Sequence, residues 1–256
     1  MRQPVVFLGH GSPMNALGGP YAEGWRALGE RLAKPKAVLM ISAHWYIEGV
    51  AVTAMARPRT IHDFGGFPAP LYEIQYPAPG DPALAQRVAG LLAPLRVSLD
   101  HEWGLDHGAW SVLMHVFPGG DVPVLQLAID ERQPPRFHHD LGARLAPLRD
   151  EGVLIVGSGD VVHNLRAARL AAGAKPYDWA TRFETLVREA IAAGRFESLI
   201  DYATLGEDAR LSIPTPEHYL PLLYVLGAAE QDEPTAFLNQ GVDLGAISML
   251  SAVIGT

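Results

Sequence analysis

Short apolar runs alternate along the chain with longer amphipathic stretches, and this alternation restricts the fold more than any other feature. The runs are typical of buried β-strands, whereas the amphipathic stretches have the apolar spacing of helices packed on one face. We expect strands at Val5–Gly9, Ala37–Ala43, Val50–Met55, Val97–Leu99, Val122–Ala128, Val153–Ser158 and Ala246–Ile254. We expect helices at Tyr21–Ala33, Pro82–Leu95, Ala109–Phe117, Pro135–Asp150, Trp179–Ala193 and Glu217–Leu226. The pattern predicts an α/β fold: one domain over residues 1–256, with a largely parallel central sheet flanked by helices.

Three of the apolar runs stop at or near a histidine. "VVFLGH" ends on His10, "AVLMISAH" ends on His44, and "VLIVGSGDVVH" reaches His163. Because the carboxyl ends of parallel strands meet at one edge of a sheet, we expect these three imidazoles to converge there. His218 in "PTPEHYLPLL" is a fourth candidate, at the expected start of the last helix. A single histidine at a strand end is more often structural, so the hypothesis of a site depends on their convergence.

The composition narrows the chemistry of such a site. The chain has no cysteine, which excludes disulfides, thiolate metal ligands and a cysteine nucleophile. Histidine, aspartate and glutamate remain as metal ligands, and these suit zinc or iron. The net charge of −8 argues against nucleic acid as a partner. No apolar stretch approaches the roughly 20 residues of a membrane span, and the amino terminus does not resemble a signal peptide, so we expect a cytoplasmic protein with no membrane partner.

The segment Pro58–Asp81 differs from the rest, because it is rich in proline, glycine and aromatic residues and has no clear period. Loops of this length are usually functional or disordered, and its aromatic residues argue against disorder. We expect an ordered loop over a pocket, which we call the aromatic loop. The candidate substrate contacts on it are His62, Phe64, Phe67 and Tyr72, although a surface role for His62 fits the sequence equally well.

The remaining histidines are harder to assign. His107 follows Asp106 at an expected helix start, where Asp106 would cap the helix whether or not His107 has a function. We expect the surface or a helix face for His101, His115, His138 and His139. The scattered cations Arg57 and Arg59, just ahead of the aromatic residues, could meet a single carboxylate on a substrate.

Six segments, in order over nearly the whole chain, resemble one family. They are "FLGHGSPMNAL", "SAHWY", "TIHDFGGFP…LY…YPAPG", "WGLDHGAWSVL", "GSGDVVHNL" and "PTPEHYLPLLYVLGA". Together they are similar to the 4,5-DOPA extradiol dioxygenases, which belong to the class III, LigB-type ring-cleaving dioxygenases. Each segment alone is weak, whereas the ordered set is specific.

The resemblance implies a metal site and roles for its residues. His10, His44 and His218 would be the ligands, and His163 would be an acid/base that also serves as a fourth ligand when zinc is bound. His107 would line the substrate side. Fe(II) would be the active metal, and Zn(II) could occupy the same site. The wider superfamily has a glutamate as third ligand; the nearest carboxylate here is that of Glu217, and we follow the closer family in choosing His218.

The predicted reaction is extradiol ring opening of a small, DOPA-like catechol by O2, with His163 as base and His107 hydrogen-bonded to the reacting oxygen. The alternative is a zinc-dependent hydrolase of small esters or amides at the same three-histidine site. A third possibility is a metal-binding protein without catalysis. The natural substrate, the position of ring cleavage and the oligomeric state, monomer or small homo-oligomer, stay open at this point.

Overall fold

The computed structural model describes residues 1–169 and 173–255, and this part of the chain contains ten β-strands and ten α-helices. The strands are β1 (Val5–Gly9), β2 (Ala37–Ile47), β3 (Val50–Thr53), β4 (Val97–Asp100), β5 (Val124–Asp130), β6 (Val153–Gly159), β7 (Thr235–Phe237), β8 (Val242–Asp243), β9 (Ile247–Ser248) and β10 (Ala252–Ile254). The helices are α1 (Pro20–Arg31), α2 (Ala69–Glu73), α3 (Pro82–Leu91), α4 (His107–Val116), α5 (Pro135–Leu145), α6 (Pro147–Asp150), α7 (Asp178–Ala192), α8 (Glu197–Ile200), α9 (Glu207–Ser212) and α10 (Leu220–Ala228). Short 3₁₀ helices occur at Pro13–Leu17 and Tyr202–Thr204.

Eight of the strands form one sheet, in the order β4-β3-β5-β2-β6-β1-β10-β7. The four central strands, β5, β2, β6 and β1, are parallel to one another. The strands on either side of this block, β3 and β10, pair with it in the antiparallel direction. The predicted α/β fold with a largely parallel sheet is therefore confirmed, and the carboxyl ends of the four central strands meet at one edge.

Both faces of the central strands are covered by helices. In β1, Val5 and Phe7 belong to the core on one face, with residues of α3, α5, α7 and α10. Val6 and Leu8 belong to the core on the other face, with residues of α1 and α4. A strand buried on both faces needs a continuous apolar run rather than an alternating one, which explains the unbroken runs in the sequence.

Strand β2 is longer than predicted. The expected end was Ala43, but the strand continues to Ile47, and its pairing with β5 shifts register between Ile41 and Tyr46. The sequence had suggested that His44 lies beyond the end of this strand. It lies instead inside an irregular part of β2. The polar residues that end the apolar run do not end the strand, because the backbone groups still pair.

Two predicted elements are each split in two. The expected strand Ala246–Ile254 is the separate strands β9 and β10, which belong to different sheets. The expected helix Pro135–Asp150 breaks at Ala146, before Pro147. Proline has no N–H to donate and its ring collides with the preceding turn, so it begins a new helix more easily than it continues one.

Aspartate side chains cap the N-termini of two predicted helices, α3 and α4. The Asp81 carboxylate accepts from the backbone N–H of Leu84, and the Asp106 carboxylate accepts from that of Ala109. The helix expected from Trp179 begins one residue earlier, so Asp178 is the first residue inside α7 and not its N-cap.

The aromatic loop is ordered, as predicted, and α2 forms within it. The amides of Ile61 and Leu105 donate to the carbonyls of Leu105 and Arg59, so the loop is fastened to the chain just before α4. The loop thus lies beside the sheet edge where the histidines are expected. A search of the described residues finds no helix that is both long and apolar enough to cross a membrane.

Candidate active site

Four histidines lie at the carboxyl edge of the sheet. His10 directly follows β1, His44 lies in β2, His163 follows β6, and His218 precedes α10. The ring centroids of His10 and His44 are 5.0 Å apart, those of His10 and His218 are 5.3 Å apart, and those of His44 and His218 are 5.2 Å apart. These three rings form a nearly equilateral triangle.

A close backbone approach brings His218 to this edge. The amide of Asp160, just after β6, donates to the carbonyl oxygen of His218 over 2.9 Å. A Cβ atom on Gly159 would collide with that same oxygen, so the contact requires glycine there. The last long helix begins at Leu220 and not at Glu217 as expected, which leaves His218 in the turn before α10.

The tautomer of His10 follows from its neighbours. Its Nδ1 is 3.0 Å from the hydroxyl of Ser158, and that hydroxyl donates its proton to the carbonyl of Gly108 over 2.6 Å. The Ser158 oxygen must therefore accept from His10 Nδ1–H. This leaves a lone pair on Nε2, directed away from Ser158, which is the state in which an imidazole binds a metal.

The other two imidazoles of the triangle also have an oxygen beside Nδ1. For His44 it is a carboxylate oxygen of Asp63 at 3.4 Å, and for His218 a carboxylate oxygen of Glu217 at 3.2 Å. Metal-bound histidines almost always have such a partner on their second nitrogen, because it fixes the ring and its tautomer. No role was predicted for Asp63 from the sequence, and Glu217 was expected only as an alternative ligand.

The donor atoms inside the triangle fit a cation. Nε2 of His10 and Nε2 of His44 are 3.2 Å apart, close enough for one ion to contact both nitrogens. Oδ2 of the buried Asp160 is 3.5 Å from His10 Nε2 and has no hydrogen-bond partner among the described residues. A metal ion beside the two imidazole nitrogens would contact both of them. Burial raises the pKa of the Asp160 carboxyl well above its usual range, which favours its protonated form when no ion is present.

Burial keeps these imidazoles neutral. It places the pKa values of His10 and His218 well below their usual range, and the surrounding imidazoles lower them further. Burial and His107 together lower the pKa of His44 to about 3, although Asp63 opposes the change. Neutral imidazoles have no proton to displace, so they bind a metal without competition near neutral pH.

Potential ligand atoms lie within 4.8 Å of one another in three groups: His10 with His44 and His107, His10 with Asp160 and His218, and His163 with Glu217 and His218. The trio expected from the sequence, His10, His44 and His218, is not one of these groups. His10 and His44 occur together in the first group, and His10 and His218 occur together in the second. That His10, His44 and His218 are the ligands therefore stays a prediction, and Asp160 adds an oxygen atom close to the nitrogens of His10 and His218.

His163 stacks against His218, with ring centroids 3.4 Å apart. Its backbone amide donates to Ser212, and it forms a bridge with Ile247, so two distant segments hold it. Burial lowers the pKa of His163 to about 4, despite the opposing charge of Glu217. It is thus a neutral imidazole beside the triangle, able to accept a proton.

His107 is the first residue of α4, and its ring centroid is 3.8 Å from that of His44. Its backbone amide and its Nδ1 each lie 2.9 Å from an oxygen of the Asp63 carboxylate. Burial would raise the pKa of Asp63, but the hydrogen bonds and charge of His107 lower it overall. The Asp63 carboxylate is therefore ionised and accepts from both groups.

An apolar cavity of about 300 Å³ opens directly on the histidines. Phe64 and Phe67 are on its wall, as predicted. His62 and Tyr72 are not: the His62 ring packs between Phe64 and Trp110, and Tyr72 packs behind Phe64 with centroids 5.1 Å apart. Other segments complete the wall, with residues for which no substrate contact was predicted from the sequence: Gly11, Ser12, Pro13, Leu165, Leu244 and Ile247.

The two arginines expected near the substrate lie elsewhere. Arg57 and Arg59 line a different cavity of about 470 Å³, which shares no wall residue with the histidine cavity. Arg166 is closer, because it lines a small cavity of about 180 Å³ that shares His163 and Leu165 with the histidine cavity. A further cavity of about 600 Å³ is lined mainly by residues of α7, and no histidine lines it.

Two of the histidines assigned to the surface or a helix face are in fact buried. His115 is hydrogen-bonded to the carbonyl of Asn15, and His138 to the hydroxyl of Tyr224. Both pack between helices and neighbouring segments, away from the cavity. His101 is exposed and His139 is partly exposed, as expected.

A cluster of buried histidines at the carboxyl edge of a mostly parallel sheet, beneath an apolar cavity, is typical of an α/β enzyme with a metal site. The family model of the catalytic LigB subunit of aromatic ring-opening dioxygenases matches residues 4–255. The chain therefore belongs to the LigB family of ring-opening dioxygenases, which confirms the resemblance found in the sequence.

Individual relatives agree with this assignment. The chain is 51% identical over 259 residues to the 4,5-DOPA dioxygenase extradiol of Escherichia coli K12, covering 99% of this chain and 95% of that protein. It is 39% identical over 255 residues to the 4,5-DOPA dioxygenase extradiol of Beta vulgaris, covering 95% and 93%. The crystal structure of an uncharacterized Escherichia coli K12 protein, JW3007, is similar with a TM-score of 0.87 and 46% identity, over 99% of this chain and 100% of that one.

Proposed function

We propose that residues 1–256 form one catalytic domain, an Fe(II)-dependent extradiol dioxygenase that opens the ring of a small catechol with O2. The observation that carries the proposal is the triangle of His10, His44 and His218, whose neutral rings border a flat-walled apolar cavity. Bound at these three imidazoles, Fe(II) would supply the redox chemistry that O2 needs to react with a catechol. The family and the names of its relatives support this choice of reaction.

The cavity orients the substrate and excludes water. Phe64 and Phe67, with centroids 5.4 Å apart and planes at 82°, offer one edge and one face to an aromatic ring. A catechol held there would have its hydroxyls toward the histidines and its apolar edge toward the wall. His163 accepts a proton from a catechol hydroxyl, because its buried ring is neutral at pH 7. His107, whose ring centroid is 3.8 Å from that of His44 and which lines the same cavity, would contact the substrate.

A catechol with a carboxylate side chain is the substrate class that the surroundings favour. The curated relatives at 51% and 39% identity are named for DOPA, which carries such a group. In this chain, Arg166 in the adjoining cavity is the cation placed to meet it. The cytoplasmic location stays a prediction from the sequence.

Oxygen uptake is the direct test. Metal-free protein is loaded anaerobically with Fe(II) and mixed with a panel of catechols that includes DOPA, while O2 consumption and ring-opened product are followed. Phenols that lack the second hydroxyl are the matched control and should be inert. His10→Ala protein, which lacks a proposed ligand, should show no uptake.

The zinc hydrolase is the second candidate, because three nitrogen ligands beside a free imidazole also suit zinc-bound water. Hydrolysis of small esters or amides by zinc-loaded protein, with no catechol cleaved by iron-loaded protein, would replace the dioxygenase assignment. Absence of both activities would favour a metal-binding protein without catalysis.

A further inference from the structure

The carboxylate of Asp63 lies between two histidines of the site. Oδ1 accepts from the backbone amide of His107 over 2.9 Å, and Oδ2 is 2.9 Å from His107 Nδ1. The same Oδ2 is 3.4 Å from Nδ1 of His44. The Asp63 carboxylate therefore lies against the N-terminus of α4, the imidazole of His107 and the imidazole of His44, which belongs to the triangle.

Only an ionised carboxylate suits these neighbours. A carboxylate accepts and never donates, so each imidazole nitrogen that faces it must carry a proton. His107 therefore carries a proton on Nδ1, and the same carboxylate oxygen, 3.4 Å from Nδ1 of His44, favours a proton on that nitrogen as well. An asparagine has a single acceptor oxygen, and its amide would donate to one of these nitrogens, which favours the opposite tautomer.

The same residue fastens the cavity wall. Asp63 immediately precedes Phe64, whose ring lies against His107 with centroids 5.5 Å apart. The negative charge at the first turn of α4 is also favourable to the helix. The position of the aromatic wall and the orientation of the two imidazoles therefore depend on one side chain.

We propose that Asp63 is a positioning residue, which sets the tautomers of His44 and His107 and fixes both relative to the aromatic wall. The effect of Asp63 on turnover rests on the proposed function, whereas its effect on the tautomers of the two imidazoles does not. Because Nδ1 of His107 donates to Asp63, Nε2 is the ring nitrogen of His107 that is left for a contact with a substrate.

The first test reads the tautomers directly. Nitrogen-15 spectra of the imidazoles are recorded for zinc-loaded wild-type protein, Asp63→Asn and the control Asp121→Asn, whose carboxylate pairs with Lys34 at the surface. The wild type and the control should show Nδ1–H at His107 and His44, and Asp63→Asn should show Nε2–H at His107. An Nε2–H tautomer of His107 in the wild type overturns the proposal, even if the variant does not fold.

The second test measures zinc affinity by competition with a chelator. Loss of such a partner typically weakens metal binding 10- to 100-fold, and we expect that range for Asp63→Asn with no change for Asp121→Asn. In iron-loaded protein, kcat should fall 10- to 100-fold with KM within about threefold. Wild-type tautomers and zinc affinity in a folded Asp63→Asn variant would refute the role of Asp63. Failure of the wild type to cleave any catechol would instead refute the proposed function and leave the tautomer result intact.

Discussion

The imidazole rings of His163 and His218 lie face to face, with centroids 3.4 Å apart and planes 8° from parallel. The two rings nevertheless have different surroundings. His218 has the carboxylate of Glu217 beside Nδ1, the arrangement of a metal-bound imidazole, and belongs to the triangle with His10 and His44. His163 packs against its face from outside the triangle, which suits a proton acceptor.

Replacing these two residues should separate their roles. His218→Ala should lose the metal, because the triangle loses one of its three nitrogens, whereas His163→Ala should keep it. The His163 variant should also lose roughly 10²- to 10⁴-fold in rate, the usual contribution of a general base. Metal content by elemental analysis, followed by turnover after Fe(II) loading, checks both. A metal-free His163→Ala protein would make His163 a ligand and contradict the assignment.

Removing the hydroxyl that orients His10 should weaken metal binding without removing a ligand. In Ser158→Ala the Nδ1–H of His10 loses its acceptor, and the ring is free to turn or change tautomer. Zinc affinity should fall roughly 10- to 100-fold in a chelator competition. Ser198→Ala, which alters an exposed serine on α8, is the matched control and should bind zinc as the wild type does. Equal affinities in the two variants would show that Ser158 does not orient His10.

Arg166 should discriminate between catechols by their charge. Arg166→Gln should raise KM for catechols that carry a carboxylate by about tenfold or more, because a charged hydrogen bond is worth roughly 1.5–3 kcal/mol. KM for an uncharged alkyl catechol should stay within about twofold. Arg57→Gln, which alters an arginine of the separate cavity, is the control. A uniform change over all the catechols would argue against an Arg166 contact with the substrate.

The stability of the metal-free protein should depend on pH through His138, which is far from the proposed ligands. Burial lowers its pKa to about 4, so the unfolded chain takes up a proton that the native state refuses between pH values of about 4 and 6.5. The free energy of unfolding should therefore fall as the pH falls through this range, by about 2 kcal/mol at pH ~5 relative to pH ~7 from this group.

Urea unfolding at several pH values measures this contribution. His138→Gln should reduce the pH dependence by about one proton, and His101→Gln, at an exposed position, should not. Identical slopes for the His138 variant and the wild type would show that His138 is protonated in the native state or does not differ from the unfolded chain.

Local sequence determined the architecture and half of the site. Unbroken apolar runs require strands covered on both faces, and their alternation with amphipathic stretches indicates an α/β fold. The same runs placed His10 and His163 at the carboxyl edge, because the end of a buried strand is visible in the chain itself. The composition of the aromatic loop predicted a wall that includes Phe64 and Phe67. The resemblance of ordered segments gave the family, which local patterns alone would not have done.

Only the tertiary structure decided which groups meet. Asp63, Ser158 and Glu217 orient the three imidazoles of the triangle, and the first two come from segments far along the chain from the histidines they hold. His62 and Tyr72 share the loop of Phe64 but pack behind it. Periodicity reports whether a residue is buried, whereas the partner of a buried polar group depends on contacts between distant backbones. Gly159 is an example. Because it has no side chain, the carbonyl of His218 can approach it, and no feature of the neighbouring sequence predicts this contact.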